Sequence, residues 1–172
     1  MINKKMEKAL NDQINAELYS AYLYMAMASH FKSINLDGFA NWFSVQAYEE
    51  FFHAKKFYDF VLERGGKVML FPIEGPPKEW QSADKAFEDA YKHEQYITGR
   101  INDLVDLAIL EKDHASNTML QWFVTEQVEE EANASGILEK LRLAGNQGSG
   151  LFLIDRELAA RVFNAQEYQS QA

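Results

Sequence analysis

The chain has 172 residues, no cysteine, and 26 acidic against 17 basic residues, for a net charge of −9. That length fits one domain, and 47% hydrophobic residues are enough for a sizeable core. The missing cysteines exclude disulfides, thiolate zinc sites and cysteine-ligated iron–sulfur clusters. The acidic balance argues against nucleic acid as a main partner, because phosphates need a basic surface, and suits a protein that attracts cations. The longest apolar runs are a few residues, too short for a membrane span, and MINKKMEKAL at the start lacks a signal peptide's apolar core. A cytoplasmic location is therefore expected.

The first helix is expected over residues 3–32, where Leu10, Ile14, Glu17, Ala21, Tyr24, Ala28 and Phe31 alternate in steps of four and three, a bundle seam. Asn35 or Asp37 can cap a second helix over 37–64, with Phe39, Phe43, Gln46, Glu50, His53, Phe57 and Phe60 on its seam. Gly65-Gly66 stops it. Residues 66–82, with Pro72, Gly75, Pro76 and Pro77, form a long connection. A helix of about 28 residues is about 42 Å long, and about 17 extended residues reach about 55 Å. The connection can therefore cross the whole bundle and make the second and third helices parallel.

Ser82 can cap a third helix over 83–111, carrying Phe87, Ala90, Glu94, Ile97, Ile101, Leu104 and Ala108. A weakly signalled break near 112–115 separates it from a fourth over 115–143, with Ser116, Leu120, Phe123, Gln127, Glu130, Ala134, Ile137 and Leu141. Gly145, Gly148 and Gly150 are expected to end that helix, and a short fifth follows over 151–163. The fold class is thus all-α: a four-helix bundle with a long crossover and a short C-terminal helix. Residues 1–163 form one domain, and 164–172 a polar tail.

Five seam residues are polar where a core should be apolar: Glu17, Glu50, His53, Glu94 and Glu130. Each lies near the middle of its helix, and helices stacked side by side share a midpoint whether parallel or antiparallel. The four carboxylates should converge, with His53 one turn from Glu50 on the same face. Isolated carboxylates in a core cost several kcal/mol each. Four together must bind protons or metal. Carboxylates with an imidazole suit ferrous iron or manganese, with zinc as competitor. Two ions can share the site if Glu50 bridges them, with Glu17 and His53 on one and Glu94 and Glu130 on the other.

Glu50-Phe51-Phe52-His53 is one of the Glu-x-x-His motifs that recur in di-iron bundles. The second copy is incomplete, since Asn133 stands three residues after Glu130. The blocks NDQINAELYSAYLYMAMA at 11–28, YEEFFHAKKFYDFVLERGG at 48–66 and FVTEQVEEEA at 123–132 are similar to non-haem ferritins of bacterial or archaeal type. This resemblance covers nearly the whole chain. It implies a ferritin-like fold, a homo-oligomeric shell of 24 subunits, and oxidation of ferrous iron by dioxygen with storage of a ferric oxide-hydroxide mineral. It also implies a di-iron ferroxidase centre at Glu17, Glu50, His53, Glu94 and Glu130, with Gln127 beside the second iron. Tyr24 matches the family's tyrosine at the centre, an electron donor. Glu49, Glu126 and Glu129 match a third iron site of bacterial members.

Haem is not expected, because 37–64 contains no methionine and Asn133 replaces the histidine of haem-binding relatives. From spacing alone, the acidic runs that hold Glu49, Glu126, Glu129 and Glu131 would more often be solvated faces. Trp122 reads as packing, and His30, His93 and His114 as facing solvent or a subunit contact. A di-metal oxidoreductase acting on an organic substrate or peroxide would need a pocket beside the metals, which Phe51, Phe52, Phe57 and Phe123 are expected to crowd. A non-catalytic helical assembly would need the glutamates to reach solvent, against their shared height.

Overall fold

Five helices carry the fold: α1 (Lys4–Ser33), α2 (Asp37–Glu63), α3 (Ala83–Leu110), α4 (His114–Ala144) and α5 (Gly148–Leu158). The structure is a computed structural model, and it describes residues 1–145 and 148–164. The tail expected over 164–172 lies, beyond its first residue, outside the described residues. Among the described residues there is no strand, and no helix is long and apolar enough to cross a membrane.

Two apolar clusters fill the bundle, one at each end. One gathers Met27 and Phe31 late in α1, Phe39 and Phe43 early in α2, Phe87 early in α3 and Leu141 late in α4. The other gathers Met6 and Leu10 early in α1, Phe57 and Val61 late in α2, Ile101 and Leu104 late in α3 and Leu120 early in α4. The directions follow from these partners. α1 and α2 are antiparallel, α2 and α3 parallel, and α4 runs against α3. The parallel pair is what the long crossover was expected to allow. Its path lies along α1: the Asn11 side chain donates to Lys67 O and accepts from Met69 N at 3.0 and 2.6 Å, while Trp80 packs on His30 with ring centres 5.5 Å apart. Asn11 and His30 are about 29 Å apart along the helix at 1.5 Å per residue.

On α3 every seam residue named from the spacing is buried, and on α4 likewise. On α1 and α2 the buried face is wider. It also takes in Asn11, Gln13, Ser20, Leu23 and Met27 on α1, and Val45, Glu49 and Ala54 on α2. Arg100 and His93 of α3 bond Gln13 and Ser20, the crossover bonds Asn11, and Arg161 beyond α5 pairs with Glu49. Ala28 and Phe60 are only half-buried, and Val61 fills the core at the end of α2 in place of Phe60.

The helix ends show how local chemistry sets boundaries. Asn3 caps α1 by accepting from Met6 N at 2.9 Å, and Asp113 caps α4 by accepting from Ser116 N at 3.1 Å. The weakly signalled break between α3 and α4 is thus a tight turn, with Lys112 at φ 55° and Asp113 buried against Arg64 at 3.0 Å. Gly65, at φ 70°, follows α2 as expected. Neither Asn35 nor Asp37 caps α2. Its first amides are capped from a distance, as Asp155 Oδ1 on α5 accepts from Gly38 N at 2.8 Å and Phe39 N at 3.1 Å. The two backbones approach so closely that a Cβ at Gly38 would lie 1.6 Å from Asp155 O.

The fifth helix begins and ends earlier than the expected 151–163. Gly148 and Gly150 lie inside it rather than ending α4. Gly150 serves close packing instead, since a Cβ there would meet Ala144 Cβ at 2.7 Å. The helix stops at Leu158 because Asn41 Nδ2 collects the carbonyls of Leu158 and Arg161, at 3.2 and 2.9 Å, and turns the chain back along α2.

Candidate metal centre

Between the two apolar clusters lies a polar layer built from all four long helices. Glu17 comes from α1, Glu50 and His53 from α2, Glu94 from α3, and Gln127 and Glu130 from α4, each no more than 3% exposed. The shared height inferred from the midpoints is therefore real, and each side chain is aimed inward by the seam on which it sits.

Ligand atoms of Glu17, Glu50 and His53 lie within 4.8 Å of one another, as do those of His53, Glu126 and Glu130. His53 Nδ1 is 3.5 Å from Glu50 Oε2, and its Nε2 is 3.8 Å from Glu126 Oε1. The imidazole thus faces two carboxylates through its two nitrogens, while Trp122 and Phe123 stand edge-on to it at 5.5 and 5.7 Å. Trp122 is packing, as expected.

Amides on the rim hold the carboxylates. Gln13 Nε2 donates to Glu17 Oε1 at 2.8 Å, and Arg100 Nε holds the other end of that amide at 2.8 Å. Gln46 Nε2 donates to Glu130 Oε2 at 2.6 Å and Glu50 Oε1 at 3.3 Å. Gln127 Nε2 donates to Glu94 Oε2 at 3.3 Å, and the Tyr24 hydroxyl donates to Glu94 Oε1. Glu17 Oε2 is left buried with no hydrogen-bond partner. A buried carboxylate oxygen that faces other acidic side chains and no donor needs a proton or a cation.

The electrostatics say the same. Burial, reinforced by the neighbouring carboxylates, pushes Glu50, Glu94 and Glu130 up to about 8. Burial also raises Glu17, with His53 and Gln13 opposing. For His53, burial alone would favour the neutral ring, but Glu126 and Glu50 outweigh it and hold the imidazole well above its ordinary value. Burial and Glu94 push the Tyr24 phenol well up. Without metal the layer therefore stores protons near neutral pH. Oxygen ligands with one imidazole suit ferrous iron, and the absence of a second histidine leaves Gln127 as the neutral group beside Glu94. Asn133, at the position of that missing histidine, is exposed.

Of the three residues matched to a third iron position, Glu49 and Glu126 come near the layer and Glu129 is exposed. Glu49 is buried and ion-paired to Arg161. Glu131 is half-buried and accepts from Thr98 Oγ1 at 2.6 Å, and Thr98 Oγ1 in turn accepts from Gln127. These three residues line a cleft of about 350 Å³ between α3 and α4.

One expectation needs correction and one is refined. His93 is half-buried and has partners within the chain: its Nε2 is 2.7 Å from Ser20 Oγ, its ring packs against Tyr19 and Tyr24, and burial lowers it to about 4. Phe51 does not crowd the site, being 54% exposed, whereas Phe57 and Phe123 stack 4.0 Å apart beneath the polar layer. Sequence reasoning placed Gln46 on the α2 seam and left Gln13 unnamed, and it gave neither a part in the site. Each stands four residues before its glutamate on the same helix, a repeated Gln-x-x-x-Glu spacing that could have revealed both.

The sequence profile of the ferritin-like domain matches residues 7–144. The chain belongs to the ferritin family. A bacterial non-heme ferritin of Staphylococcus saprophyticus is 42% identical over 167 residues, covering 97% of this chain and all of the relative. Another from Bacteroides fragilis is 40% identical over 161 residues, 94% of this chain and all of the relative. Among solved structures, an open-pore ferritin from the hyperthermophilic archaeon Archaeoglobus fulgidus superposes with a TM-score of 0.93 at 56% identity, over 94% of this chain and all of that one. An engineered closed form of the Archaeoglobus ferritin gives 0.94 at 55% identity, over 95% of this chain and all of that one. The matched region contains all of the polar layer.

Proposed function

We propose that this chain is a cytoplasmic iron-storage ferroxidase. Ferrous iron, the substrate, is taken up pairwise in the polar layer and oxidised by dioxygen, and the ferric product passes into the interior of a homo-oligomeric shell, a 24-mer by likeness to the family. Glu50 bridges the two positions, Glu17 and His53 complete one, and Glu94 and Glu130 complete the other with Gln127 alongside. The observation that carries this proposal is the convergence of four buried glutamates and a histidine from four helices, with one carboxylate oxygen lacking any donor.

The protein's own groups have defined tasks. Two ferrous cations neutralise carboxylates that otherwise hold protons, so binding expels those protons before electron transfer. Gln13 and Gln46 fix one oxygen of Glu17 and one of Glu130, leaving the other oxygens for the ions. Tyr24, hydrogen-bonded to Glu94, is placed to supply an electron and proton at the second position. The second ion has no imidazole, so it should be held more loosely, which suits a product that must leave. Glu49, Glu126 and Glu129 form a third position, towards the outside of the layer.

Stepwise addition of ferrous iron in air, with particle size and retained iron measured, tests this. Storage predicts a large shell holding far more iron per chain than these ligands can coordinate. Stoichiometric iron on a small oligomer would contradict it.

A further inference from the structure

The segment after α5 returns along α2 and places Arg161 at the edge of the polar layer. Its backbone carbonyl is held by Asn41 at 2.9 Å, and its guanidinium lies 4.6 Å over the Trp42 ring. Nη1 donates to Gln46 Oε1 at 2.8 Å, and Nη2 donates to Glu49 Oε2. Both partners matter to the centre. Glu49 is a carboxylate of the third position. Gln46 is the amide whose nitrogen holds Glu130 and Glu50.

A guanidinium offers donors only and cannot lose its proton in a protein. It therefore fixes which way round the Gln46 amide lies. The amide oxygen must face Arg161, so the nitrogen must face the two carboxylates. With a neutral or absent side chain at 161 the amide could invert, and an oxygen would then oppose two acceptors. Arg161 also carries a full positive charge to Glu49, a buried acid beside the layer whose described partner is this guanidinium and not a side-chain amide. It does there what a metal ion would do.

We propose that Arg161 is a positioning residue and a built-in counter-cation of the metal centre. While the third position is empty it neutralises Glu49 and, through Gln46, orients Glu50 and Glu130. An ion arriving at Glu49 must displace it, so filling the third position competes with docking of the segment after α5. The C-terminal segment thereby becomes a latch that keeps the third position weak and available for transit. This rests on the proposal that Glu49, Glu50 and Glu130 take up iron.

The test uses the assembled protein and Zn²⁺, which fits the same ligands without redox chemistry, titrated by calorimetry. Arg161→Gln should tighten the weakest class of bound Zn²⁺ by about fivefold, the equivalent of one displaced, partly exposed ion pair. The tight sites should weaken or stay the same. Arg161→Lys, which keeps the charge, should return the weak class towards the wild-type value. In a Glu49→Gln background the Arg161→Gln effect should vanish, since nothing is then left to compete for. A weak class unchanged by Arg161→Gln, or weakened along with every other site and the melting temperature, would overturn the latch. Failure of the wild type to bind Zn²⁺ at all would instead overturn the metal centre on which the latch rests.

Discussion

Loading the centre with a divalent cation should release protons, and the number can be worked out from the layer itself. Glu50, Glu94 and Glu130 are held near 8. A carboxyl at that value is roughly nine-tenths protonated at pH 7, so the three together carry about 2.7 protons. Against the effect of burial, Glu126 and Glu50 hold His53 above its ordinary value, so a metal on its nitrogen displaces a proton wherever the ring is charged. Filling both positions at pH 7 should therefore expel about three carboxyl protons per chain. Near pH 9 the carboxyls are already ionised and the count should fall. The sign for stability follows from the same values. All these groups bind protons more tightly folded than unfolded, so they stabilise the metal-free protein fully below pH 4.5, the ordinary value for glutamate. That contribution is lost as pH rises through about 8. Zn²⁺ titrations at one pH in buffers of different ionisation enthalpy give the proton count as a slope. A slope near zero at pH 7, or one that grows towards pH 9, would refute the claim that the empty layer is held by protons.

Gly38→Ala should push α5 off the start of α2, because its Cβ would lie 1.6 Å from Asp155 O. A loss of about 2–4 kcal/mol in denaturant unfolding is expected, with faster proteolytic release of the C-terminal segment. Tyr24→Phe removes the donor to Glu94 and any electron from the phenol. Stopped-flow oxidation should slow by about tenfold while Zn²⁺ binding changes little, on the scale of one lost hydrogen bond to a charged group. Glu50→Ala should slow oxidation by about a hundredfold or more, because both positions lose a ligand. Size-exclusion chromatography should show the shell intact, and unchanged kinetics would remove Glu50 from the bridging role.

The sequence showed the layer because each of its members sits on a helix seam near the helix midpoint, and helical periodicity is a local signal. Every seam residue that the same logic names on α3 and α4 is buried. It failed where burial is imposed from elsewhere. On α1, Gln13 and Ser20 are bonded by Arg100 and His93 of α3 and Asn11 by the crossover, while on α2 Glu49 is paired with Arg161 beyond α5. Asp155 caps a helix 117 residues away, and Arg161 bonds Gln46 across 115. No spacing rule links such pairs, since each depends on how the finished bundle brings its ends together. Gly148 and Gly150 were expected to end α4 because glycine so often does. The Gly150–Ala144 contact, invisible in a one-dimensional pattern, gives Gly150 another purpose.

The polar layer also governs how the helices slide. It separates two greasy blocks, and the rings just outside it, Phe57 and Phe123 on one side and Phe43 on the other, are fully packed. In a bundle with a uniform apolar seam, a slip of one heptad, about 10.5 Å, would trade one leucine for another at little cost. Here the same slip would drive a phenyl ring among carboxylates and a carboxylate among phenyl rings. The side chains of the polar layer thus act as a vernier, fixing the vertical alignment of four helices as a buried asparagine fixes a coiled coil. Replacing the whole layer with leucine should yield a chain that still collapses into helices but no longer knows where along one another they belong.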